Sequence, residues 1–539
     1  MKRLLAALLL LSSCATAPKQ MPLDLRITNG RILDGTGAPW FRGDIGIRGD
    51  RIVAIGSLAG TASTATIDAL DQIVSPGFID LLGQSQGTAV TDPLLEAKVR
   101  QGVTTEVTGE HFTPGPVAQG DGTDRNRWST LGEYLDLLDR QGTAINFALF
   151  IGAANARQLV MGAVNRDPTA DEMRQMEAII DQGMREGAIG LSTSLIYVPS
   201  MYTKTEELIN LARVAARHGG VYFSHLRDEG TGIDAALDEA FRIGREASIP
   251  VNIWHLKTAG RASWGRMPAV VAKIEQARAD GLDVAANIYP YAASSTNLAT
   301  LAPNWAMEGG YGELRNRLRD PETRVRITEE LRGAMERRGP KVVYVARVRS
   351  ENHKQYEKKF IEEISGMMGV PDQEALVRIY LENDTAPQAI FFSMNEEDVQ
   401  HAVKQPFISF GADSGSPSAA MRASNSSIHP RAYGTFPRVL GRYVRELKLI
   451  TLEEAVRRMT SQAALRVRIA DRGILRPGMK ADIVVFDPAT IRDVSTYDDP
   501  HHFSEGVSSV IVNGVPVMRD GVMTGALPGK TIRGSGYKP

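Results

Sequence analysis

Past its first twenty residues the chain opens in short runs where apolar and polar positions alternate: "LRITNGRILDGTG", "GDIGIRGDRIVAIGSL" and "TIDALDQIVSP". Asn-Gly, Gly-Thr-Gly and Gly-Asp punctuate them, and period-two alternation between such turn residues predicts β-hairpins. The end of the chain repeats the pattern in "GMKADIVVFDP", "SSVIVNGVPVMRDG" and "GALPGKTIRG". The two ends are therefore expected to build one small β-sandwich from residues 22–75 and 472–539.

Between them, over 76–471, apolar strand-like runs alternate with amphipathic helical stretches. The runs include "TTEVTG", "INFALFIG", "IGLST", "VYFSH", "PVNIWH", "DVAANIYPY", "QAIFFS" and "FISFGADSG"; the helices include "LGEYLDLLDRQ", "TEELINLARVAARHG" and "IDAALDEAFRIGREAS". This grammar predicts parallel strands joined by crossover helices. Polar residues gather where each strand run ends, as they do at the active face of a (β/α)8 barrel. No G-x-G-x-x-G opens a helix after the first strand, which weakens the doubly wound alternative. The predicted fold is an α/β (β/α)8 TIM barrel carrying the β-sandwich.

Composition narrows the function classes. Hydrophobic residues make up 43% and charged residues 23% of 539, so the chain reads as globular and not disordered. Lys and Arg (62) balance Asp and Glu (63), without the basic excess of a nucleic-acid binder. The leader "MKRLLAALLLLSSCATAPKQ" has Lys2 and Arg3 before an apolar run, the pattern of an export signal over 1–21. Leu11-Ser12-Ser13-Cys14 resembles a bacterial lipobox, and Ala15-Thr16-Ala17 fits simple secretion. The first is preferred because Cys14 is the only cysteine in the chain. The protein is then lipid-anchored in the periplasm through Cys14, with soluble periplasmic export as the alternative. One cysteine also excludes intrachain disulfides and Cys-rich metal sites. Oligomeric state is not legible.

Candidate chemistry lies at the strand ends. His225 in "YFSHLRDEG" and His255 in "NIWHLKTAG" each close an apolar run in matched context. Asp413 closes "ISFGADSG", and His111 closes "TTEVTGEH". Imidazoles and a carboxylate converging on one barrel mouth form a site suited to Zn²⁺ with a position left for water.

These motifs, with "SPGFID", "QGVTTEVTG", "GAIGLSTSLIYVP", "YPYAASST", "HPRAYGTFPRVLGRYVRE" and "GILRPGMKADIVVFDP", resemble the amidohydrolase superfamily over about residues 25–535, specifically its N-acyl-D-amino-acid deacylase (D-aminoacylase) branch. The resemblance implies a metal-bearing barrel and hydrolysis of an amide bond by a zinc-activated water, with Asp413 as general base and acid. It implies histidines at 82 and 84 in an H-x-H pattern, where this chain has Leu82 and Gln84. The expectation is therefore one zinc per chain, bound by His225, His255 and His111, with Glu110 as rival third ligand. His111 is preferred because it stands in the register where D-aminoacylases carry a cysteine ligand. Ala153 also departs from relatives that often carry histidine there.

The same resemblance makes Lys257, Arg431 and, more loosely, Tyr289 and Ser295 contacts for a substrate carboxylate. The expected partner is a small molecule: an N-acyl amino acid, D-configured by family expectation, or a dipeptide-like compound. Cyclic-amide hydrolysis or deamination within the superfamily, and a catalytically silent binding protein, are the competing readings. His429, His501 and His502 are expected to be structural.

Overall fold

The computed structural model describes residues 21–117, 128–424 and 426–538. Eight parallel strands form the barrel wall: β1 (Phe78–Gly83), β2 (Val103–Thr108), β3 (Asn146–Leu149, continued as Ile151–Gly152), β4 (Gly190–Ser194), β5 (Val221–His225), β6 (Val251–Ile253), β7 (Val284–Ile288) and β8 (Ile408–Phe410). A parallel bridge from Gly83 to Ser414 closes the ring, so the loop after β8 is pinned to the end of β1. Gly83 is required there: a Cβ would lie 2.0 Å from the Glu106 side chain of β2.

The helices between strands follow from their caps and stripes. Thr169 caps Ala170–Glu186 in a reciprocal capping box with Glu172, and Ile180 and Met184 are among the side chains it buries. Inside the barrel Ile79, Val107, Ala148, Phe223 and Trp254 pack into one cluster, which includes Leu82. This core supports the strand ends on which the polar groups sit.

Both chain ends enter one further sheet. Its strand order is Val522–Met523, Val515–Arg519, Val507–Val512, Ile483–Phe486, Ile73–Pro76, Leu23–Ile32, Phe41–Arg48 and Arg51–Gly56, with Ser63–Asp68 also paired to Leu23–Ile32. Ile483–Phe486 runs antiparallel to Ile73–Pro76, the join between the two ends. The fold is thus an α/β barrel with a small β domain. "GALPGKTIRG" is not a strand of that sheet; Thr531 instead bridges Phe147 of β3.

A second departure lies between β7 and β8. "QAIFFS" is not a barrel strand: Gln388–Phe391 sits in an antiparallel sheet with Ser294–Asn297, Val343–Arg347 and Lys359–Phe360. This segment has its own core, including Leu298, Ile327, Leu331 and Tyr380. Short apolar runs flanked by helices look alike whether their partners are parallel or antiparallel, so the insertion was hidden in the barrel pattern. Among the described residues no helix is long and apolar enough to cross a membrane.

Candidate metal centre and active site

The C-terminal ends of β2, β5, β6 and β8 bring the candidate residues together. His225 is the last residue of β5, and His255 follows β6 by two positions. The His255 backbone N–H donates to Asn287 Oδ1 at 2.7 Å, which fixes its turn out of the strand. His255 (φ 34°) and Asp413 (φ 49°) both occupy the left-handed region, where a non-glycine residue is strained. Both side chains are aimed into the mouth at that cost.

Glu110, His225 and His255 offer ligand atoms that all lie within 4.8 Å of one another, and all three are buried. Glu110 Oε1 accepts from His225 Nδ1 at 2.8 Å and from His255 Nε2 at 2.9 Å. Burial would raise the Glu110 carboxyl, but the two imidazoles outweigh it and hold it well below the usual range. Burial and Lys257 depress the His255 imidazole, while Glu229, Asp413 and the Glu110 hydrogen bond raise it to about 9. Two nitrogens and one oxygen, buried and convergent, suit a zinc ion, which would displace the ring proton of His255 on binding.

His111 stands outside this group. Its ring packs against Phe112 and Tyr197, with centroids 4.3 and 5.1 Å away. Its Nδ1 is buried without a hydrogen-bond partner among the described residues. Burial lowers its pKa to about 4, so it is neutral. The geometry thus groups Glu110, and not His111, with the two histidines. Gly109 (φ +114°) turns the chain just before them, and neighbours in sequence diverge from such a turn.

Glu229 was not singled out in the sequence. Its Oε1 lies 3.0 Å from His255 Nδ1, its Oε2 3.4 Å from His225 Nε2, and it pairs with Lys257. Burial would raise it, but His225, Lys257 and His255 hold it far below the usual carboxylate range. The only cue was an acidic residue four places after a strand-end histidine, in "SHLRDE".

Asp413 is buried, which raises its carboxyl; Arg431 opposes that shift. Arg431 Nη1 stands 2.7 Å from Asp413 Oδ2, and its Nη2 donates to the Ser295 carbonyl at 3.1 Å. Its guanidinium lies 4.5 Å from the centre of the Tyr289 ring, and Lys257 Nζ lies 5.8 Å from it. Tyr289 therefore serves as a floor for two cations, its hydroxyl turned to Met394 Sδ at 3.7 Å. The Ser295 hydroxyl donates to Ala389 O at 2.9 Å, so the site meets its carbonyl instead.

Leu82 is wholly buried in the barrel core, where it contributes about 1.5–3 kcal/mol by burial. Gln84 at the mouth donates from Nε2 to Glu110 Oε2 at 2.8 Å and to Asp413 Oδ1 at 2.9 Å. His429 accepts from the Arg431 backbone and bonds Ala293 O, His501 bonds Tyr433 and Ser426 O, and His502 pairs with Asp499. Ala153 opens the helix after β3 and is buried.

Comparison with known proteins gives this arrangement its context. An amidohydrolase-family profile matches residues 65–518. A D-aminoacylase of Alcaligenes xylosoxydans xylosoxydans is 35% identical over 95% of this chain and 98% of its own length. An N-acyl-D-glutamate deacylase of the same organism is 36% identical over 92% and 94%. The crystal structure of N-acyl-D-glutamate deacylase from Bordetella bronchiseptica, complexed with zinc and a phosphonate mimic of the tetrahedral intermediate, superposes with a TM-score of 0.81 at 34% identity, covering 95% of this chain and 100% of that one. The chain belongs to the amidohydrolase family and is a D-aminoacylase-like hydrolase of amide bonds.

Proposed function

We propose that the protein hydrolyses the amide bond of N-acyl-D-amino acids bearing a free carboxylate, with one zinc ion held by Glu110, His225 and His255. The observation that carries this reading is the meeting, on one barrel mouth, of a buried three-donor cluster, the separate carboxylate Asp413, and the cations Lys257 and Arg431. The relatives' names supply the acyl-D-amino acid class. With Leu82 in the core and the Gln84 amide in the mouth, the side chains argue for a single metal.

When bound, zinc supplies Lewis acidity, lowering the pKa of a water molecule and polarising the amide carbonyl. Asp413 takes the proton of the attacking water and delivers it to the leaving nitrogen, so that water plus amide becomes carboxylic acid plus amine. Its raised pKa favours holding that proton between the two steps. Arg431 and Lys257 hold the substrate carboxylate, Arg431 through its planar fork. Tyr289 keeps both cations in place through its ring face.

The test is a panel of N-acetyl-D-amino acids, their L-enantiomers and the matching carboxamides, given to protein loaded with one equivalent of zinc. Turnover of the D-acids well above the L-acids and the carboxamides is expected. No turnover of any acid, or equal turnover with and without the carboxylate, overturns the assignment.

We also propose export, with Cys14 as the site of lipid attachment; residues 1–20 lie outside the described structure. Wild-type protein made in a bacterium should take up labelled fatty acid, and Cys14→Ser should not. An unlabelled wild type cleaved near Pro18 would support simple secretion instead.

A further inference from the structure

Gln84 reaches two carboxylates with one nitrogen. An amide NH₂ has two hydrogens and no charge, and here both are used: one on Glu110 Oε2, the other on Asp413 Oδ1. Only the orientation with nitrogen inward satisfies both acceptors, since the amide oxygen would face two anions. The other oxygen of each carboxylate is engaged elsewhere: Glu110 Oε1 by His225 and His255, Asp413 Oδ2 by Arg431. The amide thus completes an unbroken chain from the two histidines, through Glu110, Gln84 and Asp413, to Arg431.

The backbone under this amide is equally constrained. Asp413 N donates to Leu82 O at 2.7 Å and Gln84 N to Ser414 O at 3.3 Å, so the backbone two residues before Gln84 and that of Gln84 itself are registered directly against the Asp413 loop. Beneath them Lys98 Nζ donates to Ser414 O at 2.7 Å. The Gln84 side chain therefore starts from a fixed base, and its reach to Asp413 is not a chance contact of a loose loop.

We propose that Gln84 is a positioning residue: its carboxamide holds the proton-carrying Asp413 at a set distance from the metal-ligating Glu110, and by satisfying the facing oxygens of both it keeps a second cation out from between them. The inference rests on the deacylase reading for its kinetic consequence. Two buried carboxylates facing each other need a donor or a cation between them. The uncharged amide meets that need without adding a metal.

Gln84→Met keeps the length and removes both donors. It should keep one zinc and stay folded at assay temperature while melting below the wild type, because two buried carboxylate oxygens lose their donor; kcat should fall roughly ten- to hundredfold, the scale of a misplaced reacting group, and KM stay within about threefold. Its crystal structure should show Asp413 turned away from Glu110. Gln84→Glu replaces donors with acceptors and gathers three carboxylates, and elemental analysis after dialysis against excess zinc should rise from one zinc per chain toward two. Wild-type kcat in Gln84→Met, or an unmoved Asp413 together with a single zinc in Gln84→Glu, overturns the proposal. If the wild type cleaves no acyl amino acid but Asp413 moves and the zinc count rises in these variants, the deacylase reading fails and the role of Gln84 stands.

Discussion

Glu229 Oε1 lies 3.0 Å from His255 Nδ1, on the ring edge opposite the one that meets Glu110. The imidazole is thereby held at both nitrogens, and the same carboxylate reaches His225 Nε2 at 3.4 Å. An outer carboxylate on a ligand histidine fixes its rotamer and raises its basicity, and its loss weakens metal binding by about 10–100-fold. Glu229→Gln should therefore fold normally and show that drop in zinc affinity in a chelator competition. Unchanged affinity would make Glu229 merely a partner for Lys257.

A second buried ion cluster lies beneath the mouth. Lys98 Nζ stands 2.6 Å from Asp80 Oδ2 and 3.4 Å from Glu106 Oε2, with all three side chains fully buried. Burial raises the Glu106 carboxyl and Lys98 opposes the shift. Lys98→Met should lose about 3–5 kcal/mol, the usual result of stranding a buried charge. The pH dependence has a definite sign. A carboxyl whose folded pKa is raised binds more protons folded than unfolded, so stability falls as pH rises through that range. Removing Lys98 raises Glu106 further, and the deficit in denaturant melts should be larger at mildly alkaline than at mildly acid pH. A deficit independent of pH would count against this account.

Much of this was legible in the chain, and the gaps have physical causes. His225 and His255 could be found because each ends an apolar run, and strand ends at a barrel mouth point to chemistry. Glu110 and His111 are adjacent, and which one faces the site depends on the turn at Gly109, a torsion that composition does not encode. Glu229 acts from a loop, where no periodicity marks direction. Gln84 was visible only as a residue unlike the expected histidine; its two acceptors come from just beyond β2 and from beyond β8, far apart in sequence. The insertion before β8 was concealed because its strands and helices share the local grammar of the barrel.

The choice between Glu110 and His111 is open to direct measurement. Glu110→Gln replaces the oxygen that meets both histidines and should lose most of the zinc. His111→Ala removes a neutral ring packed on Phe112 and Tyr197 and should keep close to one zinc per chain. The opposite pattern by elemental analysis would restore His111 as the ligand.

The last pair separates chemistry from substrate holding. Asp413→Asn keeps the shape and one acceptor oxygen, though its NH₂ must then face either Gln84 or Arg431, and it cannot accept a proton; zinc should stay bound while kcat falls by about 10²- to 10⁴-fold. Arg431→Met is expected to act first on kcat/KM for free acids, since removing one partner of a desolvated charge pair costs about 2–5 kcal/mol. That loss should shrink on the matching carboxamides. The 2.7 Å contact between Arg431 and Asp413 adds a second signature. Arg431 lowers the Asp413 carboxyl against the effect of burial, so without it the acid limb of the kcat profile should move to higher pH on acids and carboxamides alike. A uniform loss on both substrate classes, with no such movement, would mean that Arg431 neither anchors the carboxylate nor tunes the base.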